Sequence, residues 1–425
     1  AEVASNLEWC ERRLLARIHR LTLDGLRRQV APVDVSAFFR FLFAHHSISR
    51  QSQQSGSGGL QGIISQLEGF EAPVGAWEHD LLPARMSYES ESLDRLFATG
   101  ELVWGRLQPP RLNGDSRIRV LSRVSTISLV RRADLSWLIP MERNVAVGAA
   151  RWDAQAAYEA LINHGALFFD DLLALTKLLP SQLEDALREL AALGLVTSDG
   201  FAAVRALSTK LRRGHKRHSK RRRASGGAAY AHGGRWSRFP PFLQDCNAEE
   251  RAERWAWLLL RRYGVVFRDL LARESAAPAW RDLLPVYRRL EMRGEVRGGR
   301  FVAGVAGEQF ALLEAVERLR QHRDLPASDD WYIVSGTDPL NLIGIVTADA
   351  RVPATIGNRI AFCNGRAIAA REAGFIRWLV DPNETTRRRA ERLLNSPGVL
   401  RRETITEAQG GDAAVAEVFA SIVAS

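Results

Sequence analysis

The sequence predicts an α+β chain: tandem winged-helix domains followed by a small β-barrel. Three observations carry that expectation. A helix–helix–hairpin unit recurs three times, the pattern changes to short alternating strands after residue 324, and the composition is globular rather than disordered. The 425 residues exceed what one core holds, and 46% of them are hydrophobic against 25% charged, so several compact units are expected.

The repeated unit runs from Trp77 to Gly105, from Phe169 to Phe201 and from Phe267 to Phe301. Each copy opens with an aromatic residue followed closely by Asp-Leu-Leu, and passes through a proline-containing loop into an amphipathic helix. Each helix closes Leu-x-x-x-Gly, as Leu96/Gly100, Leu190/Gly194 and Leu290/Gly294. The leucine places a core residue in the last turn, and the glycine takes the left-handed conformation that ends the helix. GELVWG, GLVTSDGF and GEVRGGRF then read as strand, tight turn, strand. Helix, helix, helix, hairpin is the winged form of helix-turn-helix. A single match would fit any small αβ hairpin domain; three with similar spacing favour the winged helix.

The same reading divides the chain into a helical, degraded winged helix (1–72), winged helices at 73–150 and 151–208, a basic Gly-rich linker (209–238), a third winged helix (239–323), the barrel (324–380) and a C-terminal helical segment (381–425). In the first of these, CERRLLARIHRLTLDGLRRQV is an amphipathic helix and PVDVSAFFRFLF a second, with Asp34 or Ser36 as its N-cap. SRQSQQSGSGG, from Ser49, reads as an exposed loop. The barrel rests on short apolar runs between turn residues, with Asn364-Gly365 as a two-residue hairpin signal.

The formal charge of +10 is unevenly placed, because Lys210–Arg223 holds nine Lys or Arg and no acid, leaving +1 for the rest. That tract supports salt-sensitive, sequence-blind phosphate binding, or else is a solvated linker. No run approaches the roughly 20 apolar residues of a membrane span, and no signal peptide is visible. The chain does not begin with Met, which implies a piece of a longer protein. Cys10, Cys246 and Cys363 form no CxxC pair or even-numbered framework, so no metal site is expected and a cytoplasmic location is. There is no phosphate loop, no HExxH and no Gly-rich dinucleotide fingerprint. ATP hydrolysis would therefore have to come from a motor upstream.

DNA contacts require donors for phosphates and base edges. The second repeat's SQLEDALRELAAL helix is acidic and reads as structural. The third carries Arg281, Arg288, Arg289 and Arg293, and its ribbon adds Arg297 and Arg300 beside Gly298-Gly299, which would let the backbone approach a phosphate. Arg235 and Trp236 interleave charge with an aromatic ring, which suits stacking on unpaired bases; a pin for the linker is the other reading. In the barrel, Arg351, Asn358 and Arg359 are polar candidates at turns. Asp338 is a weak catalytic candidate for orienting water, although Asp before Pro is also a common turn starter. His45-His46 reads as surface or helix-end chemistry.

EWCERRLLARIHR, QLEGFEAPVGAWEHDLLPAR, RYGVVFRDLLARE, YRRLEMRGEVRGGRFVAGVAGEQFAL and DPLNLIGIVT…RVPATIGNRI closely resemble the C-terminal domain of the bacterial large helicase-related (Lhr) family. They cover most of residues 7–365. The resemblance implies an ATP-dependent 3′-to-5′ DNA helicase whose core, with its ATP and Mg²⁺, precedes this region. It also implies tandem winged helices and a barrel similar to those of AlkZ-type DNA glycosylases, acting on single-stranded or damaged DNA, with removal of a base such as uracil as the hydrolase activity. The glutamine pair of AlkZ-type enzymes is matched only by Gln51-Ser52-Gln53 in the low-complexity patch, so that role is not transferred. A noncatalytic scaffold that holds DNA or forms a homo-oligomer for the upstream core is the alternative.

Overall fold

Gly100, Gly194 and Gly294 have φ of 76°, 73° and 76°, and each follows the last helix of its repeat. Leu96, Leu190 and Leu290, four residues earlier, are buried, so all three copies end their helices as the sequence requires. Leu81, Leu82, Leu172 and Leu270 of the Asp-Leu-Leu segments are fully buried. They reach the core in three backbone forms: a π-turn (Trp77–Leu81), an α-helix (Phe169–Thr176) and a 3-10 turn (Arg268–Arg273). The computed structural model describes residues 10–28, 30–49, 52–110, 120–139, 148, 150–208, 234–240 and 246–396; the basic tract Lys210–Arg223 and Gln51 lie outside them.

Strands β1 (Ala72–Pro73), β2 (Leu102–Gly105) and β3 (Thr126–Arg131) form an antiparallel sheet of order β1-β3-β2 in the first unit. In the second, β4 (Val196–Ser198) pairs with β5 (Trp236–Arg238). In the third, β6 (Val265–Phe267), β7 (Val296–Gly299) and β8 (Gln309–Leu312) repeat the first unit's order as β6-β8-β7. Among the described residues the tight turns expected in all three ribbons are absent: Gly298-Gly299 of GEVRGGRF lie within β7, whose partner β8 begins ten residues later. β2 is buried along its whole length and is completed by β3 some twenty residues on, while β5 returns from beyond the basic tract. Residues 236–238 thus complete the second unit's ribbon.

The first two repeats share one core around Trp77, Trp104 and Trp236. A second core joins the third repeat to the Val35–His45 helix and one face of the C-terminal sheet. Asp34 caps that helix, its Oδ1 accepting the Ala37 amide at 2.6 Å. Phe38, Phe39, Phe41 and Phe43 are all buried: the Phe39 and Phe43 rings lie 4.7 and 5.2 Å from Phe362, and Phe43 lies 4.6 Å from Tyr332. Segment 1–72 is therefore divided between neighbours, since the Gly56–Leu67 helix packs with the first repeat instead. That helix also absorbs the glycines at the end of the patch read as an exposed loop.

The C-terminal strands β9 (Trp331–Ser335), β10 (Arg359–Cys363), β11 (Arg366–Glu372) and β12 (Phe375–Trp378) form an open antiparallel meander of order β12-β11-β10-β9. Among the described residues nothing closes it into the expected barrel. The reason lies in its covering. The phenylalanine helix packs one face through Phe362, while Leu393 and Leu394 of the Glu384–Asn395 helix cover the other at Trp331, Ile333 and Ile368. A sheet covered on both faces has no need to curl onto itself. Asn364-Gly365 forms the predicted hairpin turn, with φ of 50° and 79°. No helix among the described residues is long and apolar enough to cross a membrane.

Phe39→Ala is expected to cost about 3–5 kcal/mol, because its buried ring joins the Val35–His45 helix to the sheet at Phe362. Denaturant titration should show the loss; a change below about 1 kcal/mol would mean that the two pack independently.

Candidate functional site

The first repeat departs from the other two at its Asp-Leu-Leu segment. The Leu82 amide reaches back to the Trp77 carbonyl, the i→i+5 bond of a π-turn, a rare form that occurs often at functional sites. Trp77 anchors it, with the ring fully buried and Nε1 donating to the Ile127 carbonyl at 3.2 Å. The three titratable side chains that follow then separate. Asp80 turns inward, where its Oδ2 accepts from Ser335 Oγ at 3.0 Å; burial raises its pKa, against the lowering effect of that hydrogen bond. Glu78 and His79 instead line a cavity of about 500 Å³ shared with Tyr88, Ser90, Arg123 and Arg205.

Glu78 is held at both oxygens. Tyr88 Oη donates to Oε1 at 2.5 Å, and Arg205 Nε donates to Oε2 at 2.7 Å. Arg205 also grips Asp94 through Nη1 and Nη2, at 2.8 and 3.0 Å. Burial, then the Glu78 carboxylate, pushes the Tyr88 phenol well above its ordinary range, so it stays a donor. Arg123 is exposed at the cavity and makes no ion pair among the described residues. The arrangement is a fixed carboxylate with an imidazole and a free guanidinium at one opening. It suits an anionic or polyhydroxylated ligand with a reacting carbon near Glu78.

Behind the π-turn lies a closed joint. Arg85 donates from Nη1 to Asp338 Oδ2 (2.8 Å) and to the Leu81 carbonyl (2.9 Å), and from Nη2 to Asp338 Oδ1 (3.0 Å) and His46 Nδ1 (3.1 Å). The Arg85 and Asp338 side chains are 0% and 2% exposed. Both oxygens of Asp338, the sequence's candidate for orienting water, are thus engaged by Arg85 away from solvent. Asn358 is also buried: its Nδ2 donates to the Pro353 carbonyl at 3.0 Å and its Oδ1 accepts the Ala373 amide at 3.2 Å. Arg359 Nη1 bonds the Ser396 carbonyl at 2.5 Å. Of the three sheet candidates, only Arg351 is exposed and without an ion pair among the described residues.

The arginines of the third repeat are largely answered by acids. Arg288 pairs with Glu308 at 2.6 Å, Arg289 with Glu249 at 2.6 Å, Arg293 with Glu253 and Glu295 at 3.4 Å, and Arg281 with Asp282 at 3.6 Å. Arg297 and Arg300 have no such partner among the described residues. The ribbon glycine is already used. A Cβ on Gly298 would fall 2.2 Å from Glu291 Oε1 and 2.9 Å from Arg27 Nε, and Arg27 is itself bonded to Glu291. The close approach expected for a phosphate is made by the chain's own Arg27–Glu291 pair. Arg235 pairs with Asp199 at 2.9 Å. Trp236 is fully buried, edge-on to Trp104 at 6.2 Å, so it pins the second unit and cannot stack on a base.

The Glu78 cavity depends on a π-turn that the shared Asp-Leu-Leu pattern does not encode. The available signal was WEHDLL itself, where three consecutive titratable residues stand between the aromatic and the leucines. Among the described residues, no group of three or more His, Cys, Asp or Glu side chains is arranged to hold a metal ion.

Models of the winged-helix domain of large helicase-related protein match residues 33–123 and 245–331, the first and third units with their leading helices. A Mycolicibacterium smegmatis protein named Lhr helicase/probable uracil glycosylase is 30% identical over 400 residues. The chain carries winged-helix domains of the large helicase-related family. That match covers 87% of this chain and 25% of the relative. Lhr helicase/uracil glycosylase of Escherichia coli is 27% identical over 387 residues, covering 82% of this chain and 24% of its own length. The chain thus spans about a quarter of these curated Lhr relatives. Streptomyces sahachiroi DNA glycosylase AlkZ aligns over 86% of this chain and 96% of its own at 12% identity, with a TM-score of 0.47.

Two histidines, His46 buried in the joint behind the π-turn and His45 beside it, make stability depend on pH. His45 donates from Nε2 to the Arg261 carbonyl at 2.8 Å and has Nδ1 3.3 Å from Arg318, and burial lowers its pKa to about 4. His46 is also lowered, by burial and then by the Arg85 charge. Unfolded histidines take up protons near pH 6.5 and the folded ones only below that, so acid favours the unfolded chain. Asp80 and Glu68, raised by burial, act in the opposite sense. The histidine contribution is complete above about pH 6.5 and is lost as pH falls toward 4. His45→Gln should flatten the fall in Tm across that window; an unchanged slope would clear the histidine of the effect.

Proposed function

We propose that this chain is the DNA-binding C-terminal module of an ATP-dependent 3′-to-5′ DNA helicase of the Lhr family acting in DNA repair, and that it excises a damaged base such as uracil. The observation that carries the excision reading is the fixed Glu78 carboxylate in a polar cavity beside the first winged helix. Further support comes from the relatives named helicase and uracil glycosylase. ATP and Mg²⁺ would be held by the upstream core.

An extruded nucleotide would enter the cavity with Arg123 at its phosphate. Glu78, oriented by Tyr88 and Arg205, would accept a proton from water as the water oxygen bonds to C1′. The bond from C1′ to the base nitrogen breaks, its electron pair leaves with the base, and a proton returns to that base. His79 stands at the opening to supply it. Glu78→Gln is expected to lower base release from a uracil-containing single strand by 10²–10⁴-fold, read as alkali-labile strands, with DNA affinity unchanged. Wild-type protein that releases no uracil, alkylated or oxidised base would remove the enzymatic reading.

A noncatalytic scaffold that holds DNA or assembles copies is the second reading. The exposed apolar stripe Leu14, Leu15, Ile18 and Leu21 on the Arg12–Arg28 helix favours it. DNA binding with no base loss, and a stable oligomer on sizing, would establish it instead.

The pairing of arginines predicts which ones feel a duplex. Removing Arg297 or Arg300 should each reduce the salt slope of DNA affinity by about 1. Removing Arg288 or Arg289, already neutralised by Glu308 and Glu249, should change it less. Equal effects at all four would mean that the acid partners yield on binding.

A further inference from the structure

Phe375 is 81% exposed, the highest value among the exposed large hydrophobic residues described. It sits at the first position of β12, directly after the turn that β11 makes at Ala373-Gly374. A single exposed apolar side chain is unremarkable by itself. This one stands on a turn built to hold it still. Ala373 has a φ of 49°, a left-handed conformation that is unfavourable for alanine and persists only when its surroundings impose it. The Ala373 amide donates to Asn358 Oδ1 at 3.2 Å. Asn358 is fixed in turn, donating to the Pro353 carbonyl at 3.0 Å while its own carbonyl accepts the Gly336 amide at 2.7 Å. The loop so clamped continues to Ile356, which packs beside Gly75 in the wall of the Glu78 cavity.

Charge completes the picture. Alternation along β12 puts Phe375 and Arg377 on the same face, with Ile376 and Trp378 on the other, where they pack on the core beneath. Arg377 donates from Nη2 to the Ala350 carbonyl at 3.0 Å, which ties the segment that carries the exposed Arg351 to this strand. Glu372, opposite Phe375 in the strand register, is neutralised by Arg377 through Nη2 at 2.6 Å and Nε at 3.0 Å.

We propose that Phe375 is a stacking platform for a nucleobase of a single-stranded or locally opened strand, with Arg351 taking the adjacent phosphate. The proposal rests on the DNA-binding reading above. An aromatic face accepts any base, and a nearby guanidinium tracks the backbone without reading sequence. The rigid turn limits the ordering cost that a mobile loop would incur on binding.

The full chain, titrated against an end-labelled single-stranded oligonucleotide with 2-aminopurine at successive positions, tests this. Phe375→Ala is expected to weaken binding by about 5- to 150-fold and to abolish the quenching of 2-aminopurine at one position, while Phe375→Trp restores both. Arg351→Ala should lower the salt slope by about 1 and leave the quenching pattern in place. Because Phe375 is 81% exposed, its replacement should leave Tm unchanged. Wild-type affinity and quenching in Phe375→Ala would overturn the proposal while leaving the module a DNA binder. A wild-type chain that binds no DNA would overturn both readings. A Phe375→Ala change seen only in the sizing elution would assign the residue to a protein contact and overturn stacking.

Discussion

Arg85 and Asp338 are separated by 253 residues in sequence and meet as a buried ion pair. One guanidinium fixes three elements there. It holds the Leu81 carbonyl at the end of the π-turn, His46 at the end of the phenylalanine helix, and the carboxylate that follows β9. Burying two charges costs several kcal/mol per ion before their attraction is counted, so the pair is weak evidence of stabilisation for its own sake. Its dependence on both partners is stronger evidence: removing one leaves the other charged and dry, a loss of about 3–5 kcal/mol. The pair sets the register between the first winged helix and the sheet, and every side chain on the π-turn takes its direction from that register. Arg262 makes a parallel connection, bonding the Gln66 and Glu68 carbonyls of the first unit and Glu274 of the third.

What could be read from the sequence was local. The Leu-x-x-x-Gly endings, the Asp34 cap and the Asn364-Gly365 turn depend on a few neighbouring residues, and all three appear as expected. What could not be read was long-range. The ribbons of the first two units close with strands some twenty and forty residues on, and nothing in LVWG or VTS announces a distant partner. The sheet stays open because helices from both ends of the chain cover it, which strand periodicity does not encode. Trp236 beside two arginines has the composition of a stacking site, yet its indole faces Trp104 inside the core. Asp338 has the sequence of a turn and the burial of a joint.

The count of arginines misleads for a related reason. Most of the formal charge belongs to the tract from Lys210 to Arg223, and many arginines in the described units spend their charge internally. Those on the third repeat's last helix meet Glu249, Glu253, Glu295 and Glu308. Arg123, Arg297, Arg300 and Arg351, which lack ion pairs among the described residues, say more about where an anion would land than the richer arginine clusters do. They lie on three different units, which fits contact with an extended strand better than insertion of one helix into a groove.

The three Asp-Leu-Leu segments sharpen this argument. The same four-atom apolar side chains reach the core by an α-helix, a 3-10 turn and a π-turn, so burial of the leucines alone does not choose the backbone. In the second and third repeats the segment only supports its neighbours. In the first, the inserted residue of the π-turn sends Asp80 inward to Ser335 and leaves Glu78 and His79 at a cavity. An ordinary α-helical turn would have kept these side chains at regular 100° steps. The extra backbone atoms are sustained by Trp77 on one side and Arg85 on the other, both fully buried. The first repeat thereby presents a carboxylate held at both oxygens beside an accessible cavity, an arrangement set by the local distortion and not by the leucines it shares with its siblings.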